Sequence, residues 1–364
     1  MRWRALAGGL APAVSAGWNV ANVGSVALGL SRAYGVSLFV IGLFTTALFV
    51  THASLQVPAG RLCDRFGARW VATVGLAVTA VASTAALAWR EAGFAIGMRA
   101  LAGVGTGLSF VAGSDYVRRT VGSAVAQGVY GAASMAGGGI ALALIPQWGA
   151  WQAPFVTSAV VAGVGVVLVV IAPPEGPRAA LQIVRRIADR RLLPLAAMHS
   201  ASFGLSVVLG NWVVTLLERA GGESKGIAGI AGALTLFLGI ITRPLGGRIR
   251  GHVWALRASF VIGGAGTALL AVASPLGLAF GASALIGLAA GLPFAPAFAG
   301  AARIRPDAPA SAVGFVNMTA AVTILVATPL LGQSFSLPGN GRIGFLVVAV
   351  LWALAAFSVP KEST

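Results

Sequence analysis

From residue 6 to residue 359 the chain is little more than a succession of apolar stretches of bilayer length, parted by turns too short to fold on their own. A spanning helix needs about 20 mostly apolar residues. Twelve stretches meet that requirement: 6–30, 37–59, 70–89, 94–115, 125–145, 151–172, 192–217, 226–247, 253–273, 276–298, 311–331 and 341–359. Only 9% of the residues are charged, against about 25% in an average soluble domain, so lipid has to replace water as the solvent for most of the surface. The first stretch begins like a secretory signal, with Arg2 and Arg4 ahead of an alanine-rich run and Ala13-Val14-Ser15-Ala16 as a cleavage-like end. It continues to Leu30, however, and is read as a retained first helix.

The net charge is +16. A basic balance of that size can signal a nucleic-acid partner, but the arginines here sit in short clusters between apolar runs, not on one folded face, and nucleic acid is excluded. Their placement follows membrane topology, because cytoplasmic loops carry an excess of Lys and Arg. With the N-terminus inside, nineteen basic residues, Arg243 among them, fall in inner segments. Five (Arg32, Arg90, Arg219, Lys225 and Arg342) fall in outer ones, and Arg99 lies within a span. The expectation is a protein integral to the cell (inner or plasma) membrane with both termini cytoplasmic. The longest polar interval divides the spans six and six: residues 1–172 form an N-terminal six-helix bundle, 173–191 a cytoplasmic linker and 192–364 a C-terminal six-helix bundle. Within the linker, residues 179–191 read either as a basic helix on the inner leaflet or as a solvated connection.

The densest polar stretch, Gly60-Arg61-Leu62-Cys63-Asp64-Arg65-Phe66-Gly67-Ala68-Arg69, holds four charges in ten residues. Gly60 and Gly67 permit close approach and a sharp reversal, Asp64 suits a helix N-terminus, and Arg65 and Arg69 can pair with acids or carbonyls of neighbouring helices. The stretch resembles the G-x-L-x-D-R-x-G-x-R signature of the major facilitator superfamily, which joins the second and third helices of those transporters. Gly60, Leu62, Asp64, Arg65, Gly67 and Arg69 occupy its fixed positions. A partial copy, Leu245-Gly246-Gly247-Arg248-Ile249, ends the eighth stretch; Arg250 and Gly251 follow, with no acid where Asp64 would align.

The resemblance implies an all-α integral membrane protein with twelve transmembrane helices in two pseudo-symmetric six-helix bundles, moving a solute by alternating access around a midplane site. It also implies that Gly60, Asp64, Arg65, Gly67 and Arg69 form a gate that latches the two halves on the inner side. The residues alone favour a charged turn that only fixes topology. Trp18–Gly24, and the run from Gly42 through the charged turn, are most similar to the anion, cyanate and nitrate-type porters of that superfamily.

Polar side chains within spans point to the solute path. Asn19 and Asn22 share a face of the first helix, His52 and Gln56 one of the second, and Tyr130 and Ser134 one of the fifth. His199 and Asn211 lie on the seventh helix, with His199 expected near its inner, interfacial end, and Asn317 on the eleventh. In the superfamily the first, fourth, seventh and tenth helices line the cavity, which by resemblance makes Asn19, Asn22, Arg99 and Asn211 the substrate-cavity candidates. Arg99 has two readings: a transport role, as ligand for an anionic solute or tuner of a proton-carrying partner, or a post hydrogen-bonded to helix carbonyls. His52 is the candidate for proton coupling, against an ordinary packing role. The glycines of the fifth span (Gly128, Gly131, Gly137, Gly138 and Gly139) resemble an antiporter motif but lack its Gly-Pro pair, and fit close helix packing.

All nine acids fall in loops or at helix ends. One intramembrane arginine and no intramembrane carboxylate favour a neutral or anionic solute. There is no G-x-x-x-x-G-K-[ST] and so no ATP site. The single cysteine, Cys63, allows neither a disulfide nor a cysteine metal centre, and no cofactor is expected. The chain is therefore read as a secondary active transporter of a small solute, organic or inorganic anion, and not an enzyme. Its partners are the solute, the lipid bilayer and a coupled proton or ion. The alternatives are a drug or metabolite efflux carrier of the same superfamily and, from another class, a membrane sensor or receptor that does not transport.

Overall fold

The computed structural model describes residues 2–121, 124–175, 189–249, 252–272, 276–305 and 309–360. Most of the linker, with nearly all of the expected inner-leaflet helix over 179–191, and Arg250 and Gly251 of the partial motif copy lie outside them. The regular elements described are all helical: α1 (Arg2–Ala21), α2 (Ala27–Tyr34), α3 (Leu38–Ser54), α4 (Gln56–Phe66), α5 (Ala68–Ala85), α6 (Ala92–Thr120), α7 (Ala124–Trp148), α8 (Ala153–Val170), α9 (Leu192–His199), α10 (Ser206–Ala220), α11 (Lys225–Gly246), α12 (Val253–Val272), α13 (Leu276–Gly291), α14 (Phe294–Ile304), α15 (Pro309–Ser334) and α16 (Arg342–Leu354). A π-helical turn, Ser200–Leu205, joins α9 to α10, and a short 3-10 turn, Gly24–Val26, precedes α2. Starts follow local chemistry: the Ser37 hydroxyl accepts from Val40 N ahead of α3, and the Glu91 carboxylate from Gly93 N and Phe94 N ahead of α6.

Twelve spans in two six-helix bundles are not what forms. Among the described residues nine helical stretches are long and apolar enough to cross a bilayer, or ten if the bent pair Leu38–Ser54 and Pro58–Phe66 counts as one. The missing spans have identifiable causes. The stretch 6–30 is interrupted at Asn22, where the Asn22 side chain takes the Val23 N–H at 2.8 Å, and α1, though 20 residues long, takes in Arg2 and Arg4 in place of the apolar run beyond Ala21. The stretch 37–59 bends by 54° near Leu55. The last apolar helix, Arg342–Ser358, is short, and at 1.5 Å per residue it reaches about 25 Å against about 30 Å of hydrocarbon.

Small residues set the packing. A Cβ on Gly17 would strike the Ser134 carbonyl and one on Gly137 the Val14 carbonyl, so α1 and α7 touch backbone to backbone. Val160, Val164, Val167 and Val170 of α8 are exposed as a lipid-facing stripe. Trp70, Trp89, Trp148 and Trp254 are exposed at helix ends, where indole rings favour the membrane–water interface.

Helices from before and after the linker meet at the Leu38 end of α3. A Cβ on Gly42 would strike Pro329 and one on Gly332 the Leu38 carbonyl, and further along α3 Thr46 Oγ1 donates to Leu325 O at 3.0 Å. Gln147 Nε2 donates to Gly226 O at 3.1 Å. At the other end α4 packs on α5 and α6, and α14 chiefly on α9 and α15, each with helices of its own half.

Candidate functional site

Three of the four cavity candidates form one network around the break after α1. Asn22 N still bonds Trp18 O at 2.9 Å, but the next rung is lost because Val23 N turns to Asn22 Oδ1. That frees the Asn19 carbonyl, one of the orphan acceptors every helix end leaves. Arg99 fills it from α6: Nη2 donates to Asn19 O at 2.6 Å, Nη1 to Asn19 Oδ1 at 3.2 Å and Nε to Phe44 O of α3 at 3.3 Å. A cation at a helix C-terminus is also favoured by the macrodipole. Ser158 of α8 donates to Asn19 Oδ1 at 2.7 Å, Asn19 Nδ2 bonds Ser15 O, and Asn22 Nδ2 bonds Pro154 O at 2.9 Å. Arg99 is 2% exposed and ties α6 to α1 and α3. Asn211 stands apart: its Oδ1 accepts from Thr45 Oγ1 at 2.9 Å and its Nδ2 bonds Val207 O.

His52 is half-buried, with Nδ1 3.0 Å from Thr106 Oγ1 and its ring 5.9 Å from those of Phe49 and Phe110. Phe110 lies 5.3 Å from the Tyr130 ring, whose hydroxyl donates to Phe110 O at 2.6 Å. A band of aromatic side chains therefore runs from α3 across α6 to α7.

At the charged turn, Gly67 adopts φ 95°, ψ 142°, a conformation that only glycine enters cheaply. Gly60 has nothing within 4 Å of where a Cβ would stand, so close approach does not explain it. Asp64 Oδ1 accepts from Arg119 Nη2 at 3.0 Å, and Arg119 also pairs with Asp115 at 2.6 Å. Glu175, at the start of the linker, accepts from Ala68 N at 2.8 Å and Arg69 N at 2.7 Å, taking the helix N-terminus expected for Asp64. Arg69 Nη2 donates to Val170 O at 2.8 Å, and the Arg65 guanidinium lies 5.1 Å from the Phe66 ring. The bonds given for Asp64 and Arg69 stay within the first half.

A second buried cation was not singled out by the sequence reading. Arg243 is 8% exposed, although it counts among the inner-segment arginines. Its Nη1 donates to Gly131 O of α7 at 3.1 Å, across the join between halves. Its guanidinium stands 4.1 Å from the Phe294 ring and 5.6 Å from that of Phe203. Both rings are aimed by helix irregularities, Phe203 by the π-turn and Phe294 by the break at Pro293 between α13 and α14. Among the described residues no carboxylate pairs with Arg243, and the ion pairs given involve only Arg118, Arg119 and Arg191. The usable signal was positional: Arg243 precedes Pro244 inside the stretch 226–247, not beyond it.

His199 is not interfacial. It is 0% exposed, its Nε2 lies 3.2 Å from Asn317 Oδ1, and its ring lies 5.3, 5.6 and 4.8 Å from those of Phe203, Phe294 and Phe298. The sequence reading did not anticipate that Asn317 and His199 would meet.

A family model described as Major Facilitator Superfamily matches residues 13–250. No curated protein sequence matches the chain. Among solved structures, a bacterial homolog of the human lysosomal transporter Spinster, in an inward-facing and occupied conformation, aligns with TM-score 0.77 at 16% identity, over 98% of this chain and 96% of that one. The nucleoside transporter NupG aligns with TM-score 0.75 at 13% identity, over 99% and 98%. A point mutant of that nucleoside transporter aligns with TM-score 0.72 at 14% identity, over 97% and 98%. At these identities the structures establish a shared fold.

Proposed function

The chain belongs to the major facilitator superfamily, a family of transporters and not of enzymes, and from that premise we propose that the small solute it carries is an organic anion received by Arg243. The observation that carries this reading is the state of that guanidinium: buried, with one hydrogen bond to the protein given for its five N–H groups and no carboxylate partner described. A buried cation is costly unless it is paired, and an arriving carboxylate or similar anion would supply the pair with two parallel bonds. Phe203, Phe294 and Phe298 favour a solute with a flat apolar part beside its charge.

Arg243 also suggests how binding is linked to movement. Its bond to Gly131 O crosses from the second half to the first. An anion that takes over the guanidinium would release that bond, so solute and interhalf contact compete for one group. We assign residues 1–172 and 192–364 to the two moving bodies and 173–191 to the linker between them. With both termini cytoplasmic, as the arginine asymmetry favours, the sealed Leu38 end faces outward and the α4 and α14 end faces the cytoplasm. The turn at Gly60, Asp64, Arg65, Gly67 and Arg69 then lies on the cytoplasmic side, where we assign it the gate. Asn19, Asn22 and Arg99 act as positioning residues that fix the broken first helix beside the path, and Asn211 with Thr45 joins the halves. His52 remains one candidate for carrying a coupled proton.

The test is solute uptake and exchange in proteoliposomes with pyruvate, benzoylformate, nitrate and the lipophilic cation tetraphenylphosphonium. Carboxylates are expected to move, and Arg243→Gln to abolish their movement. Transport of tetraphenylphosphonium alone would overturn the anion reading and favour an efflux carrier.

A further inference from the structure

We infer that the anion travels with a proton, and that the proton sits on Nδ1 of His199. This rests on the reading of Arg243 as the anion ligand. His199 Nε2 lies 3.2 Å from the Asn317 side-chain oxygen, and we take Nε2 to carry the hydrogen of the neutral ring, the tautomer that makes this contact a hydrogen bond. That leaves Nδ1 as a bare acceptor, and among the described residues it is buried with no hydrogen-bond partner. What sets it apart is its ring's cage of three phenylalanines. Two of them, Phe203 and Phe294, are the rings over which the Arg243 guanidinium lies.

The shared rings couple the two groups. A proton on Nδ1 makes His199 a cation whose burial works against the charge, while three ring π-systems and the bond to Asn317 work for it. In the empty site it would also stand beside the uncompensated charge of Arg243. Around it, α15 contributes the neutral amide of Asn317, α14 the rings of Phe294 and Phe298, α11 Arg243 and the turn 355–358 no titratable group. The charged group that shares two of its rings is Arg243. An anion on Arg243 cancels the repulsion, so the site favours anion and proton together, and by linkage each strengthens the other. His52 lacks this arrangement, because Thr106 already occupies its Nδ1.

Two measurements on the full-length protein test this. The first is proton uptake on binding of benzoylformate, an anion too acidic to carry its own proton across lipid, followed with a pH indicator in weakly buffered detergent solution. The native protein is expected to take up one proton per anion and His199→Gln to take up none. The second is transport. One proton per anion predicts about tenfold accumulation per pH unit of gradient. His199→Gln should lose that accumulation while keeping benzoylformate exchange, which needs no net proton movement. No proton uptake by the native protein, or gradient-driven accumulation unchanged in His199→Gln, would overturn the inference while leaving Arg243 as anion ligand. If the native chain exchanges no carboxylate at all, the anion reading fails and this inference fails with it.

Discussion

Among the described residues two arginines, Arg99 and Arg243, are buried without a carboxylate, and they differ in what the protein has already given them. Arg99 makes three hydrogen bonds, two of them to the Asn19 residue that the helix break leaves exposed. Arg243 makes one, to Gly131 O, and otherwise faces aromatic rings. Burial of a cation is thus not by itself the mark of a binding site. The mark is a cation whose remaining donors are left for something that arrives. On the proposed function, Arg99 is the structural joint and Arg243 the ligand site.

The comparison can be broken from either side. The largest effect is expected at the joint. Arg99→Gln leaves the Asn19 carbonyl buried without its donor, and an orphaned buried acceptor costs about 1–3 kcal/mol. The first helix should loosen, with a clear fall in Tm of the detergent-extracted protein. A variant as stable as the native chain would mean that Arg99 braces nothing. Next, Arg243→Gln should keep the native Tm to within a few degrees yet weaken carboxylate binding about 100-fold, the worth of a charge-assisted pair of roughly 2–3 kcal/mol.

Smaller changes sharpen the contrast. Ser158→Ala removes one bond to Asn19 Oδ1 and should cost about 1 kcal/mol of stability with solute affinity unchanged. Phe294→Leu removes one ring face from Arg243 and should do the reverse, lowering affinity several-fold with little change in Tm. The smallest effect is at Glu91, exposed at the start of α6, where bonds from Gly93 N and Phe94 N hold the carboxyl below its usual range. The cap it provides is present above the unfolded carboxylate value and is lost as pH falls through the lowered folded value. A slight acid-dependent drop in Tm that is absent in Glu91→Gln would show it, and would separate general acid softening from the His199 proton.

The membrane class and the family were legible in the sequence because they rest on long-range pattern: apolar length, arginine asymmetry and the six fixed positions of the charged turn. The number of spans was not. Apolar length cannot report that Asn22 captures the next backbone N–H and splits the first stretch, or that the chain bends near Leu55. Arg99 showed itself as a lone charge in an apolar run, but whether it was post or ligand depended on carbonyls from two other helices. Arg243 was hidden by its company, since an arginine near the end of a span beside Arg248 reads as one more member of an inner cluster. The His199–Asn317 meeting joins residues 118 positions apart, which no local pattern encodes.

The most direct test of the central claim is benzoylformate binding to the purified native protein, Arg99→Lys and Arg243→Lys, measured by titration calorimetry on protein shown to be folded. Lysine keeps the charge at both places but cannot offer a planar fork. The account predicts near-native affinity for folded Arg99→Lys and at least about a tenfold loss for Arg243→Lys. The reverse, with affinity lost at residue 99 and kept at residue 243, would contradict it.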